Sequence, residues 1–190
     1  MTSRKIFICH RRGDAVRHAG MLLQNLRNSY GASTLHYGSH QSEEGKVLCK
    51  EGLHAMIEAR AVLILIGPNW ASHDNQERLH EIRGADPLRR WIALALTRHG
   101  AGGWEAPMLI PVLLDGASMP SRSSLPKDLK ELPRLAALSF PRDEALWAMQ
   151  YRQLLDNLNL ALGIDSDTHS DWLTRLWKPL SLALTQLRRA

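Results

Sequence analysis

The residues best placed to do chemistry near the start of the chain are Arg11, Arg12 and Asp14, in the run Cys9-His10-Arg11-Arg12-Gly13-Asp14 that follows a short apolar segment. Adjacent guanidinium groups can grip a nucleotide phosphate, and an indole such as Trp70 can stack on a base. A plainer reading stands beside that one: Asp14 caps a helix, Trp70 packs in a core and the arginines are solvated. Nine histidines and 19 acidic residues supply further titratable groups. No histidine forms a tight ligand motif with a cysteine or a second histidine; His36 and His40 are four apart, but in a strand end and a loop. Structural or solvated histidines, and no metal, are the expectation. Cys9 and Cys49 are too few for a disulfide scaffold and lack the close pairing of a zinc site, so they read as reduced, intracellular thiols. The turn after the first apolar run is not the Gly-rich dinucleotide fingerprint, and the chain has no Walker loop. Gly67-Pro68 ends the third strand where a phospho-accepting receiver would carry an aspartate.

The elements that must position these residues follow from the apolar periodicity. Ile6-Phe7-Ile8-Cys9 and Ala61-Val62-Leu63-Ile64-Leu65-Ile66 are continuous apolar runs of the kind buried on both faces. Met108 to Leu114 reads as another such strand, with shorter ones near Thr34–Tyr37 and Ala136–Phe140. Between them lie helical patterns: Val16, Ala19, Leu22, Leu23 and Leu26; then Cys49, Leu53, Met56 and Ile57; then Leu88, Trp91, Ile92 and Ala95 behind Pro87. A short helical piece near Lys127 to Leu132 and a long helix from about Asp143 to Leu162 complete the set. Five strands alternating with helices predict an α/β fold of the flavodoxin-like, three-layer kind, a parallel sheet covered on both faces.

At 190 residues the chain is expected to form one domain, residues 1–163, followed by a linker and C-terminal helical extension at 164–190. In that extension Leu173, Trp177, Leu180, Leu184 and Leu187 repeat at 4-3-4-3 spacing, which suits either a helix folded back on the domain or a seam for a partner helix. Pro179 argues against a long coiled coil. Hydrophobic residues at 44% and charged residues at 23% exclude disordered, collagenous and membrane-spanning classes. The formal charge of +5 permits an anionic partner, but Arg11-Arg12, Arg89-Arg90 and Arg188-Arg189 lack interleaved aromatics, so nucleic acid is only weakly supported. No apolar stretch reaches the ~20 residues of a membrane span, and nothing near Met1 has the core of a signal peptide, so a cytoplasmic setting without a membrane partner is expected.

Four segments in order resemble a bacterial Toll/interleukin-1 receptor (TIR) domain. They are Ile6 to Asp14, Ala61 to Trp70, Asp86 to Leu96 and Ile110 to Pro120, and the resemblance spans about residues 4 to 162. It implies the flavodoxin-like fold and two kinds of function. Some TIR domains assemble with one another or with other signalling and defence proteins; others, many of them in bacterial anti-phage defence, cleave NAD at the nicotinamide glycosidic bond. The enzymes use a glutamate at the start of the helix after the third strand, where a carboxylate can stabilise the positive charge that develops as that bond breaks.

The matching position here is Trp91, with Asp86, Leu88, Arg89 and Ile92 holding the register, and no acidic residue lies between Pro87 and Gly103. An indole cannot replace the carboxylate, so no catalytic residue is assigned. The loop after the second strand departs as well. The family shows an aspartate and a Pro-Gly pair there, whereas this chain has Gly38 and then Ser42, Glu43, Glu44 and Gly45, which the resemblance marks as an interface. Arg11, Arg12, Asp14 and Trp70 are retained as candidates to bind NAD or an ADP-ribose-type ligand. The leading expectation is therefore a TIR-like signalling or defence domain acting by assembly, nucleotide binding or both, with no cofactor required. Its rivals are an NAD glycohydrolase drawing its carboxylate from Glu77, Glu81 or a neighbouring subunit, and a subunit of a nucleic-acid-directed defence complex.

Overall fold

The computed structural model describes residues 5–11, 13–38, 50–72, 75, 79–80, 86–141 and 143–164. Among them, strands β1 (Lys5–His10), β2 (Leu35–Tyr37), β3 (Ala59–Ile66), β4 (Met108–Leu114) and β5 (Leu138–Phe140) form one sheet in the order β2-β1-β3-β4-β5. Every pairing is parallel. That order is the flavodoxin-like one, and it confirms the architecture expected from the alternating patterns.

The pleat of the strands sorts the core into two layers. Ile6, Ile8, Leu63, Leu65, Val112 and Leu114 face helices α1 (Val16–Tyr30) and α4 (Glu144–Leu162), where they meet Leu22, Leu26, Tyr151, Leu154 and Leu158. Phe7, Cys9, Val62, Ile64, Ile66 and Leu109 face α2 (Lys50–Glu58) and α3 (Pro87–Gly100), with Met56, Leu88, Trp91, Ile92 and Ala95. Short 3-10 turns at Lys127–Leu129 and Leu132–Arg134 add Leu129 and Leu132 to this second layer, where one helical piece was expected. β5 pairs with β4 only from Val112 onward, so Pro111 lies outside that ladder while Ile64 pairs with it on the other side.

Two local expectations fail. α1 has no side-chain cap: Ala15, in the left-handed region at φ 46°, precedes it, and the Asp14 carboxylate points elsewhere. α2 buries Ala55 and Met56, while Leu53 and Ile57 are exposed. A nine-residue helix with apolar side chains on two sides does not reveal by periodicity which side meets the sheet, and the smaller Ala55 lets the backbone approach β1. Cys49, the remaining member of that expected stripe, lies outside the described residues.

Candidate functional site

In open parallel sheets the ligand crevice opens where consecutive connections leave in opposite directions, here at the carboxyl ends of β1 and β3. The fold brings Arg11 and Asp14 to that place, together with Gly67, Asn69 and Asp86. Two polar linkages fill the crevice. Arg11 Nη2 donates to Asp86 Oδ2 at 2.7 Å, and both residues are buried. The other Asp86 oxygen accepts the Leu88 N–H at 3.0 Å, which caps α3 just ahead of Pro87. Asp86 thus ties the turn after β1 to the start of the helix that carries Trp91.

The second linkage is made by Asp14. Its Oδ2 accepts the Gly67 N–H at 2.9 Å and its Oδ1 the Asn69 N–H at 3.0 Å. Strand β3 ends at Ile66, so these two N–H groups have left the ladder and need an acceptor. A buried carboxylate satisfies both, which is why Asp14 does not cap α1. Gly67 has to be glycine for space alone: a Cβ there would lie 2.4 Å from Asp14 Oδ1. His10 Nε2 meets the Asp14 carbonyl oxygen at 2.8 Å, and the Asp14 N–H donates to the Arg11 carbonyl at 3.1 Å, so the turn is held at both ends.

Arg11 and Asp14, two of the residues expected at a nucleotide site, are therefore already engaged inside the protein. Of the others, Arg12 lies outside the described residues, as do Glu77, Glu81, the proposed interface residues Ser42, Glu43, Glu44 and Gly45, and the C-terminal set Leu173, Trp177, Leu180 and Leu184. Trp70 is 1% exposed and packed in the second core layer, so its ring presents no open face to a base in this conformation. Of its two readings, packing is the one this burial matches. A cleft of about 320 Å³ does open there, between the ends of β3 and β4, and Trp70 contributes to its wall with Gly67, Pro68, Gly116, Ala117 and Ser118. No charged side chain among the described residues lines it.

Trp91 sits where its spacing placed it, on the buried stripe of α3 with Leu88, Ile92 and Ala95. Its ring lies 5.0 Å from that of Phe7, tilted by 49°. Gly38, directly after β2, closes over both: a Cβ there would be 2.8 Å from Trp91 Cδ1 and 3.0 Å from Phe7 Cε1. The position that the resemblance gives to a glutamate is thus packed apolar space roofed by backbone. Gly38→Ala is expected to cost about 1–2 kcal/mol by overpacking, and less than that when Trp91→Leu is already present. Urea denaturation of the two single variants and the double variant measures it; additive losses would mean that Gly38 and Trp91 are not in conflict.

Other chemistries find little here. Burial pushes the Cys9 thiol pKa up, which disfavours the nucleophilic thiolate. Among the described residues no group of three or more His, Cys, Asp or Glu side chains could hold a metal ion, and no helix is long and apolar enough to cross a membrane. Sequence reasoning missed the partners rather than the principals. Asp86-Pro87 carries a helix-start signature that marks Asp86 as a cap, whereas its contact with Arg11, 75 residues away, has no local signal. No family model matches the chain, and no curated protein matches its sequence.

Proposed function

We propose that the chain is a TIR-like domain that works by assembly with its own kind or with other signalling or defence proteins in the cytoplasm, and does not cleave NAD. The observation that carries this reading is Trp91, buried against Phe7 and Gly38 where the enzymes of the resembled family need a carboxylate. An oxocarbenium-like transition state needs negative charge beside the ribose, and a carboxylate in this apolar space would be costly to bury. The crevice adds support. With Arg11 on Asp86 and Asp14 on two backbone N–H groups, an incoming pyrophosphate would have to displace a buried pair to bind Arg11. Binding by surface association asks for no such rearrangement, and so it is favoured over nucleotide recognition.

The test is direct. Homogeneous full-length protein incubated with NAD is expected to release no nicotinamide above the buffer rate, and titration with ADP-ribose to give no binding heat. Nicotinamide release that scales with protein concentration would overturn the reading, and a saturable ADP-ribose isotherm would return the function to nucleotide binding.

A further inference from the structure

At the opposite end of the strands, by the amino ends of β3 and β4, lies a groove of about 570 Å³ that the crevice chemistry does not involve. Arg60, His99, Trp104, Met108, Leu160 and Gly163 line it. Two of its apolar side chains stand in solvent: Trp104 is 77% exposed and Leu160 is 74% exposed. An aromatic of this size left open beside a concave surface marks a contact site more often than a solvated position. It is also held in place, because Arg60 lies over the indole at 5.0 Å and donates to the Trp104 carbonyl.

We propose that the occupant is this chain's own C-terminal segment, residues 165–190, folded back into the Trp104 groove. Three observations favour it over a separate partner. The first is where the segment starts. Helix α4 stops at Leu162, and Gly163 at φ 62° turns the chain, with the Ile164 N–H donating to Asn159 O at 2.9 Å and the Gly163 N–H to Leu160 O at 3.3 Å. This is the paired-bond helix ending in which a left-handed residue reverses the path, and Gly163 itself forms part of the groove wall. The segment therefore leaves the domain at the site, and closing so short a connection costs little entropy.

The second is charge. The residues that follow carry Asp165, Asp167 and Asp171, while Arg60 and His99 line the groove. Arg60 gives its hydrogen bond to the neutral Trp104 carbonyl oxygen, which leaves its positive charge for an acidic strand. The third is pattern. Leu173, Trp177, Leu180 and Leu184 provide an apolar side of the kind that Trp104 and Leu160 can bury. The seam read from the sequence would then be used within the chain and not offered to a partner helix.

Cross-linking of the full-length chain tests this. In a Cys49→Ser background, Ala106→Cys on the groove wall is combined with Thr174→Cys or with Ser181→Cys, and a short bismaleimide is added. Cross-linking confined to the monomer band, and abolished by Trp104→Ala, is the expected result. Cross-links that appear only between chains, which would seat a second copy in the groove, overturn the proposal, and so does the absence of any link in both pairs. Trypsin cleavage after Arg175, read by mass spectrometry, gives a second measure. Docking predicts that Trp104→Ala speeds this cut about tenfold, because cleavage follows the population of the undocked state. An unchanged rate overturns the proposal, and Trp104 is exposed enough that its removal leaves the domain folded.

Discussion

Asp86→Ala is expected to be the most damaging single substitution described here. It removes the cap of α3, worth about 1 kcal/mol, and takes from the buried Arg11 guanidinium the one carboxylate it pairs with among the described residues, a situation that costs about 3–5 kcal/mol. A combined loss of about 4–6 kcal/mol would lower the melting temperature by roughly 10–20 °C in a chain of this size. Circular dichroism during heating and in urea measures it. Asp86→Asn separates the two parts, since an amide oxygen still caps but no longer neutralises Arg11. The double change Arg11→Met with Asp86→Ser, which removes the buried charge and keeps a capping hydroxyl, should recover most of the loss. A variant Asp86→Ala within 1 kcal/mol of the parent would mean that Arg11 finds water instead and that the crevice is open.

Gly67→Ala should come next, with a loss of about 2–4 kcal/mol. The added methyl would meet Asp14 Oδ1 at 2.4 Å, Cγ at 2.6 Å and Oδ2 at 2.7 Å, and the carboxylate has nowhere to retreat. Asp14 is buried between Gly13 and Ala15, both at positive φ, and moving its side chain strands the N–H groups of Gly67 and Asn69. Because the damage is one clash and the bonds it breaks, Asp14→Ala and Gly67→Ala should not add. The double variant is expected to be little worse than Asp14→Ala alone, and additive losses in a denaturation cycle would refute the contact.

These two pairs also bear on function. One joins the turn after β1 to the start of α3 and the other joins it to the end of β3, at the place where a flavodoxin-like sheet usually admits its ligand. Arg11, which looks like a phosphate ligand in isolation, serves here as the partner of Asp86, and the tryptophan on α3 packs against Phe7 and Gly38. A domain braced in this way is suited to present surfaces, which agrees with the assembly role proposed for it.

How far such conclusions can be read from sequence differs from residue to residue. The stripe Leu88, Trp91, Ile92 and Ala95 was legible because helix periodicity and a Pro at the first position are local signals, and its burial follows. The sheet was legible because apolar runs of this length have no other place in a fold that alternates strands and helices. Asp14 was misread as a helix cap, since an aspartate ahead of an apolar helix is the usual cap signature. Trp70 was open to two readings because a tryptophan carries the same letter whether it stacks on a ligand or fills a core.

By itself, then, the order of residues determined the parallel five-stranded sheet, the helices on both of its faces and the lack of a carboxylate along α3, because each depends on neighbours within a few positions. Only the tertiary structure decided that Arg11 belongs to Asp86, that Asp14 belongs to the N–H groups beyond β3, and that Gly38 and Gly67 are glycine for want of space. Those facts rest on groups 53 to 75 positions apart, or on different elements, brought within hydrogen-bond or contact distance by the packing of the layers. Burial then gave each polar group a partner it had to find, and no local pattern records which one that would be.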